Sequence, residues 1–203
     1  MTRYFVTGIG TGVGKSVVSA LLCEALEADY WKPVQAGELE FTDTDFVRSL
    51  VSSNTTHFHP EAYRLPYPLS PHASAERAGI AIDPKSIQIP ETTNTLIIEG
   101  AGGLMVPLNR TTLYIDLLSE MNAEVILVSR HYLGSINHTL LSAESLMLRR
   151  IPVKGIVFNG DENPETESIL LEMTGFKCLG RIPTVQQIDR SFIQLHAPTF
   201  ATI

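Results

Sequence analysis

A chain of 203 residues with 44% hydrophobic and 18% charged side chains has the make-up of a globular protein with an ordinary core, and a single domain over 1–203 is expected. The formal charge of −7, with Arg149-Arg150 the densest basic cluster, excludes a nucleic-acid surface of the usual Lys/Arg-rich kind. No apolar run approaches the roughly 20 residues that cross a bilayer, a first strand beginning by Arg3 leaves no room for a signal peptide, and two cysteines cannot make a disulfide framework, so a cytoplasmic location without membrane contact is expected.

The first predicted element is a strand over Tyr4–Thr7, and it runs into a glycine-rich loop that closes on Lys15 and Ser16. Glycines at 8, 10, 12 and 14 let successive N–H groups turn toward phosphate oxygens, Lys15 reaches the outer phosphates and the Ser16 hydroxyl takes a magnesium position. The usual spacing puts glycine four residues before Gly-Lys-Ser/Thr; here Ile9 holds that place and Gly8 comes one residue early. A dinucleotide-binding G-x-G-x-x-G fails, because counting from Gly8 meets Val13 and counting from Gly10 meets Lys15. A nucleoside-triphosphate site is therefore expected.

A helix follows over Lys15–Leu26, with Val18, Leu21, Leu22, Ala25 and Leu26 on one stripe and Cys23 read as a buried thiol. Next comes a strand over Tyr30–Val34. Lys32 lies at its end, where a buried ammonium needs an anion; it either reaches solvent or points into the site. Trp31 reads as core packing. Asp43 and Asp45 begin a helix pattern, as caps beside Thr42 and Thr44 or as a metal neighbour, and spacing does not choose between them. The stretch 52–90 reads as a long functional loop with short helices such as His72–Ala78, and His57 and His59 read as surface histidines without metal-ligand spacing.

A buried strand over Thr95–Ile98 delivers Glu99 at its end, followed by Gly100, Ala101, Gly102 and Gly103. Beside a phosphate loop such a carboxylate is the expected second magnesium-site residue, and the glycines allow close backbone approach to a ligand. Strands over Val125–Val128, Val153–Phe158 and Lys177–Gly180 alternate with helices over Ser135–Arg149 and Pro164–Met173. Apolar strands alternating with helices predict a three-layer α/β fold: a mainly parallel sheet with helices on both faces, of the P-loop NTPase type, with ligands at the carboxyl edge.

Gly8-Ile-Gly-Thr-Gly-Val-Gly-Lys-Ser16, Trp31-Lys-Pro-Val34, Ser70-Pro-His72, Glu99-Gly-Ala-Gly-Gly103, Leu133-Gly-Ser-Ile-Asn-His138, Val157-Phe-Asn159 and Gly180-Arg-Ile-Pro183 occur in the order found in ATP-dependent dethiobiotin synthetases, and the chain resembles that family over nearly its whole length. The resemblance implies that CO2 carboxylates one amine of 7,8-diaminononanoate, that the carbamate attacks the γ-phosphate of ATP, and that the second amine closes a ureido ring with release of phosphate. By that similarity Lys32 and Lys15 are the catalytic lysines, and Ser16, Asp45 and Glu99 hold Mg2+, which prefers Asp45 to Asp43. ATP would meet Gly12, Val13, Gly14, Lys15, Ser16, Val17, Asp45, Glu99, Gly100, Ala101, Gly102, Asn159, Pro183, Thr184 and Val185. The diamine would meet Thr11, Lys32 and Ala36, with Gly134, Ser135 and Asn137 from the second subunit of a homodimer. Ala36 stands where the family usually carries Ser or Thr, and the carboxyl end past Pro183 is abbreviated. Two other classes share the loop. An ATP-driven switch of the partitioning or cluster-delivery kind would not need Lys32-Pro33, and a GTPase would need a lysine that Asn159-Gly-Asp161 lacks.

Overall fold

A computed structural model describes residues 1–203. In chain order the strands are β1 (Arg3–Gly8), β2 (Asp29–Trp31), β3 (Val34–Ala36), β4 (Phe58–His59), β5 (Tyr63–Leu65), β6 (Leu96–Gly103), β7 (Glu124–Arg130), β8 (Val153–Asn159) and β9 (Cys178–Ile182). The helices are α1 (Lys15–Leu26), α2 (Asp43–Leu50), α3 (Pro71–Ala78), α4 (Tyr114–Glu120), α5 (Ser135–Leu148), α6 (Pro164–Thr174) and α7 (Arg190–His196). Seven strands form one sheet in the order β4-β2-β6-β1-β7-β8-β9, every pair parallel.

Period-2 alternation divides the core. Tyr4, Val6, Tyr30, Ile97, Ile126 and Val128 face α1, α2 and α7, where they meet Val18, Leu21, Val47 and Ile193. Phe5, Trp31, Ile98 and Val125 face the opposite layer and meet Ile115 and Leu118 of α4 and Leu146 of α5. Phe158 and Leu127 complete that layer against Leu170 of α6. Because both faces are covered, the central strands are apolar on both faces until their carboxyl ends, where Glu99 and Ser129 lie, as the three-layer reading requires.

Three expectations change. The strand expected over Tyr30–Val34 breaks at Pro33: β2 ends at Trp31, and β3 starts at Val34 and pairs with β5 in a separate two-stranded sheet. Proline has no N–H to continue the ladder, while its carbonyl accepts from Ala62 N and Tyr63 N at 2.9 and 3.1 Å. The stretch 52–90 holds β4, β5 and α3 and is more ordered than a loop. His59, expected at the surface, is buried with its Nε2 3.3 Å from Asp29 Oδ2, because β4 adds to the sheet edge beside β2.

Candidate active site

β1 lies between β6 and β7, so its carboxyl end opens at the centre of the sheet edge. The chain leaves it at Gly8, turns through Gly12 (φ 70°) and Gly14 (φ 97°), and enters α1 with no side chain capping its first N–H groups. An uncapped helix start of this kind is an anion site. Gly8 explains the shifted first glycine: a Cβ there would stand 2.3 Å from Val13 Cγ2, while Ile9 packs against the core and donates its N–H to Val128 O at 3.1 Å.

Opposite the loop, β2 and β6 deliver a polar cluster into the α1 layer. Glu99 follows Ile97 by two residues and Lys32 follows Tyr30 by two, so both project to that face. Lys32 Nζ lies 3.0 Å from Glu99 Oε1 and 2.6 Å from Asp43 Oδ2, with the lysine and glutamate side chains only 5% and 1% exposed. Tyr30 OH donates to Glu99 Oε2 at 3.0 Å. The Ser16 hydroxyl is 2.9 Å from both Asp43 Oδ1 and Glu99 Oε1. Burial acts to lower the Lys32 pKa, and the Glu99 and Asp43 carboxylates more than reverse it, so the ammonium is held above its ordinary value. Burial, opposed by Glu99 and aided by Lys32, holds Lys15 below its ordinary value; its ammonium is in no ion pair and donates to Gly10 O at 3.1 Å. Lys15 is thus the cation with charge still to be matched.

A cleft of about 740 Å³ joins these groups. Its wall includes Thr11, Gly12, Gly14, Lys15, Ser16 and Val17 from the loop and α1, Lys32 and Ala36 from the β2–β3 segment, and Glu99, Ala101 and Gly102 from β6. Val13 and Gly100 are buried behind that wall. Asn159 lies behind the loop, its Nδ2 donating to Val13 O at 2.8 Å, and exposed Thr184 and Val185 with half-buried Pro183 follow Ile182, its register partner on β9. Gly134, Ser135 and Asn137 lie outside the cleft, at the start of α5.

Asp45 is corrected. It is the N3 residue of α2, and its carboxylate accepts from Thr42 N at 3.1 Å and Arg48 Nη1 at 2.7 Å, outside the cleft. Those local donors, Thr42 first, hold its pKa below the ordinary value. Asp43, at N1, faces Ser16 and Lys32 instead. The order Thr42-x-x-Asp45 is a capping-box signature, and it marks which aspartate helix chemistry consumes. Gln35 was also missed: it is buried, donates to Gly37 O at 3.0 Å and accepts from Asp43 N at 3.4 Å, holding the segment that carries Asp43. A glutamine just past the strand expected over Tyr30–Val34 leaves no sequence signal for that task. Tyr30 did leave one, the two-residue step to Lys32.

The donor set suits a small hard cation. One Ser16 proton cannot serve two carboxylates at once, so three oxygens converge where a cation would relieve lone-pair contact. No cluster of three or more His, Cys, Asp or Glu side chains is poised to hold a metal, so the remaining ligands would come from a bound phosphate and water, as Mg2+ prefers.

Solved structures share this fold. The cell division ATPase MinD of Pyrococcus furiosus superposes with a TM-score of 0.63 at 17% identity, covering 98% of this chain and 90% of that one. The ParA family ATPase of Chlorobium tepidum TLS gives 0.59 at 13%, covering 98% and 92%. Fold and loop together define a P-loop nucleotide-binding protein. A family model described as an AAA domain matches residues 2–191, and the ATP-dependent dethiobiotin synthetases of Cytophaga hutchinsonii (52% identical, 97% of this chain and 96% of that one) and Christiangramia forsetii (53%, 97% and 95%) align end to end. The chain belongs to the ATP-dependent dethiobiotin synthetase family.

Proposed function

We propose that the chain converts 7,8-diaminononanoate, CO2 and ATP to dethiobiotin, ADP and phosphate, as a cyclo-ligase of biotin synthesis. The observation that carries the reading is a buried ammonium, Lys32, paired with Glu99 and Asp43 beside the Ser16 hydroxyl that ends an uncapped phosphate loop, in a chain about half identical to named synthetases. In the reaction one neutral amine adds to CO2 and loses a proton to give the carbamate. A carbamate oxygen bonds to the γ-phosphorus as ADP leaves, and the second amine attacks the carbonyl carbon of the mixed anhydride as phosphate leaves.

Such chemistry asks for alignment and charge neutralisation more than for a nucleophile. The loop amides and Lys15 would take the triphosphate, Lys32 would face the carbamate and the transferring phosphoryl group, and Thr11 and Ala36 would line the diamine. Ser16, Asp43 and Glu99 would hold Mg2+, which would supply positive charge to the triphosphate. Asn159 and 183–185, neighbours at one corner of the sheet edge, would border the adenine. Gly134, Ser135 and Asn137 lie outside this protomer's cleft, which supports their acting from the second subunit of a homodimer.

Phosphate release from ATP measured with and without diamine and bicarbonate tests the reading. Release is expected only with all three, rising toward alkaline pH as the amines lose their protons. Equal release from ATP alone would make the chain an ATPase switch instead.

A further inference from the structure

Arg130 and Asn159 end β7 and β8 side by side in register, and both reach the back of the phosphate loop. Arg130 Nη1 donates to Gly12 O at 3.1 Å, and Asn159 Nδ2 donates to Val13 O at 2.8 Å. The two side chains thus take the carbonyls of consecutive residues. In a trans peptide the C=O and the following N–H point in opposite directions. Holding Gly12 O therefore turns Val13 N–H to the other side of the loop, and holding Val13 O does the same for Gly14 N–H.

On that other side lies the cleft walled by Lys15, Ser16, Lys32 and Glu99, to which neither Arg130 nor Asn159 contributes. Amides turned into a concavity are what binds phosphate oxygens. The loop needs such support, because Gly12 and Gly14 both sit at positive φ and glycine backbone is the freest of all. Arg130 has nothing else to hold it: its side chain is exposed, it is in no ion pair, and the Gly12 carbonyl is its one protein partner. A strand-end arginine without a task is left to water; this one folds back onto a residue 118 positions away.

We propose that Arg130 is a positioning residue for ATP: it fixes the Gly12–Val13 peptide in its anion-binding orientation before nucleotide arrives, and so sets triphosphate affinity without touching the reacting atoms. The inference rests on the ATP reading of the loop. Calorimetric titration of wild type, Arg130→Met and Arg130→Lys with a non-hydrolysable ATP analogue tests it, together with steady-state kinetics. Arg130→Met keeps the aliphatic stem without donor or charge, and its affinity is expected to fall about tenfold, the scale of one charge-assisted hydrogen bond. KM for ATP should rise by a similar factor while kcat at saturating ATP stays within about twofold, and Arg130→Lys should recover most of the loss. A methionine variant that binds like wild type, or one that loses kcat with KM unchanged, overturns the proposal. If Arg130→Met melts early, Arg130→Ala, which likewise removes the donor to Gly12 O, serves the same comparison. Wild type that fails to bind the analogue at all would instead overturn the ATP reading.

Discussion

Glu99 and Lys32 are buried charges that neither could carry alone; each is tolerated because the other stands 3.0 Å away and Tyr30, Asp43 and Ser16 fill the remaining hydrogen-bonding positions. Removing one partner would leave the other unmatched, so this cluster is held together by mutual need. The two aspartates beside it separate cleanly by chemistry. Asp45 serves the helix and Asp43 serves the cleft. Asp43→Asn should therefore raise the magnesium concentration needed for half-maximal turnover by roughly tenfold or more. Asp45→Asn should leave that value alone and lower stability by about 1 kcal/mol through the lost cap. Magnesium titrations of the two variants, with urea melts, check the pair; a magnesium effect at Asp45 alone would return the metal to it.

At the scale of elements, one carboxylate binds the far side of the sheet. Asp29 opens β2, and its oxygens accept from His57 N at 3.1 Å, Thr92 Oγ1 at 2.6 Å and Asn94 Nδ2 at 3.2 Å, with the His59 ring at 3.3 Å, fastening β4 and the turn before β6 to β2. Burial acts to raise the Asp29 pKa, and the donors, Thr92 foremost, outweigh it and hold it below the ordinary value. Burial holds His59 low as well, against the pull of Asp29. Both folded values lie below the unfolded ones, so each contributes stability that is complete above its unfolded pKa and lost as pH falls: His59 from about pH 6.5 downward, Asp29 from about pH 4 downward. Asp29→Asn should cost about 1–3 kcal/mol at pH 7 and flatten the lower of these falls. Urea midpoints of wild type and variant between pH 3 and 8 measure it, and parallel curves would remove Asp29 from the acid response.

At the scale of the whole molecule, the segment that opens α5 leaves apolar side chains in solvent: Leu133 is fully exposed, and Tyr132 and Ile136 are 43% and 39% exposed. They flank Gly134 and Ser135, the residues expected to act across a dimer, and an apolar cluster beside such residues is what an interface would cover. Sedimentation velocity at micromolar concentration is expected to give a dimer. Leu133→Glu should shift it to monomer and abolish diamine-dependent phosphate release while ATP still binds. A fully active wild-type monomer would refute the shared site.

Much of the fold was legible in the chain because its signals are local. A phosphate loop is written within nine residues, apolar alternation marks the central strands, and the helix over Lys15–Leu26 is set by spacing that any parallel sheet would use. The short elements escaped, since β3, β4 and β5 are two or three residues long and exist only because neighbouring strands accept their hydrogen bonds. Lys32 could not be placed from sequence because its fate depends on Glu99, 67 residues away, and the meeting requires β2 to lie beside β6 with both side chains on one face. Sequence by itself determined the loop, the layering and the family, because backbone geometry and core burial are fixed by residue type and short-range order. Only the tertiary structure decided which aspartate meets Ser16, which carbonyls Arg130 and Asn159 hold, and where the buried ammonium finds its anions, because those pairings follow from strand order and register.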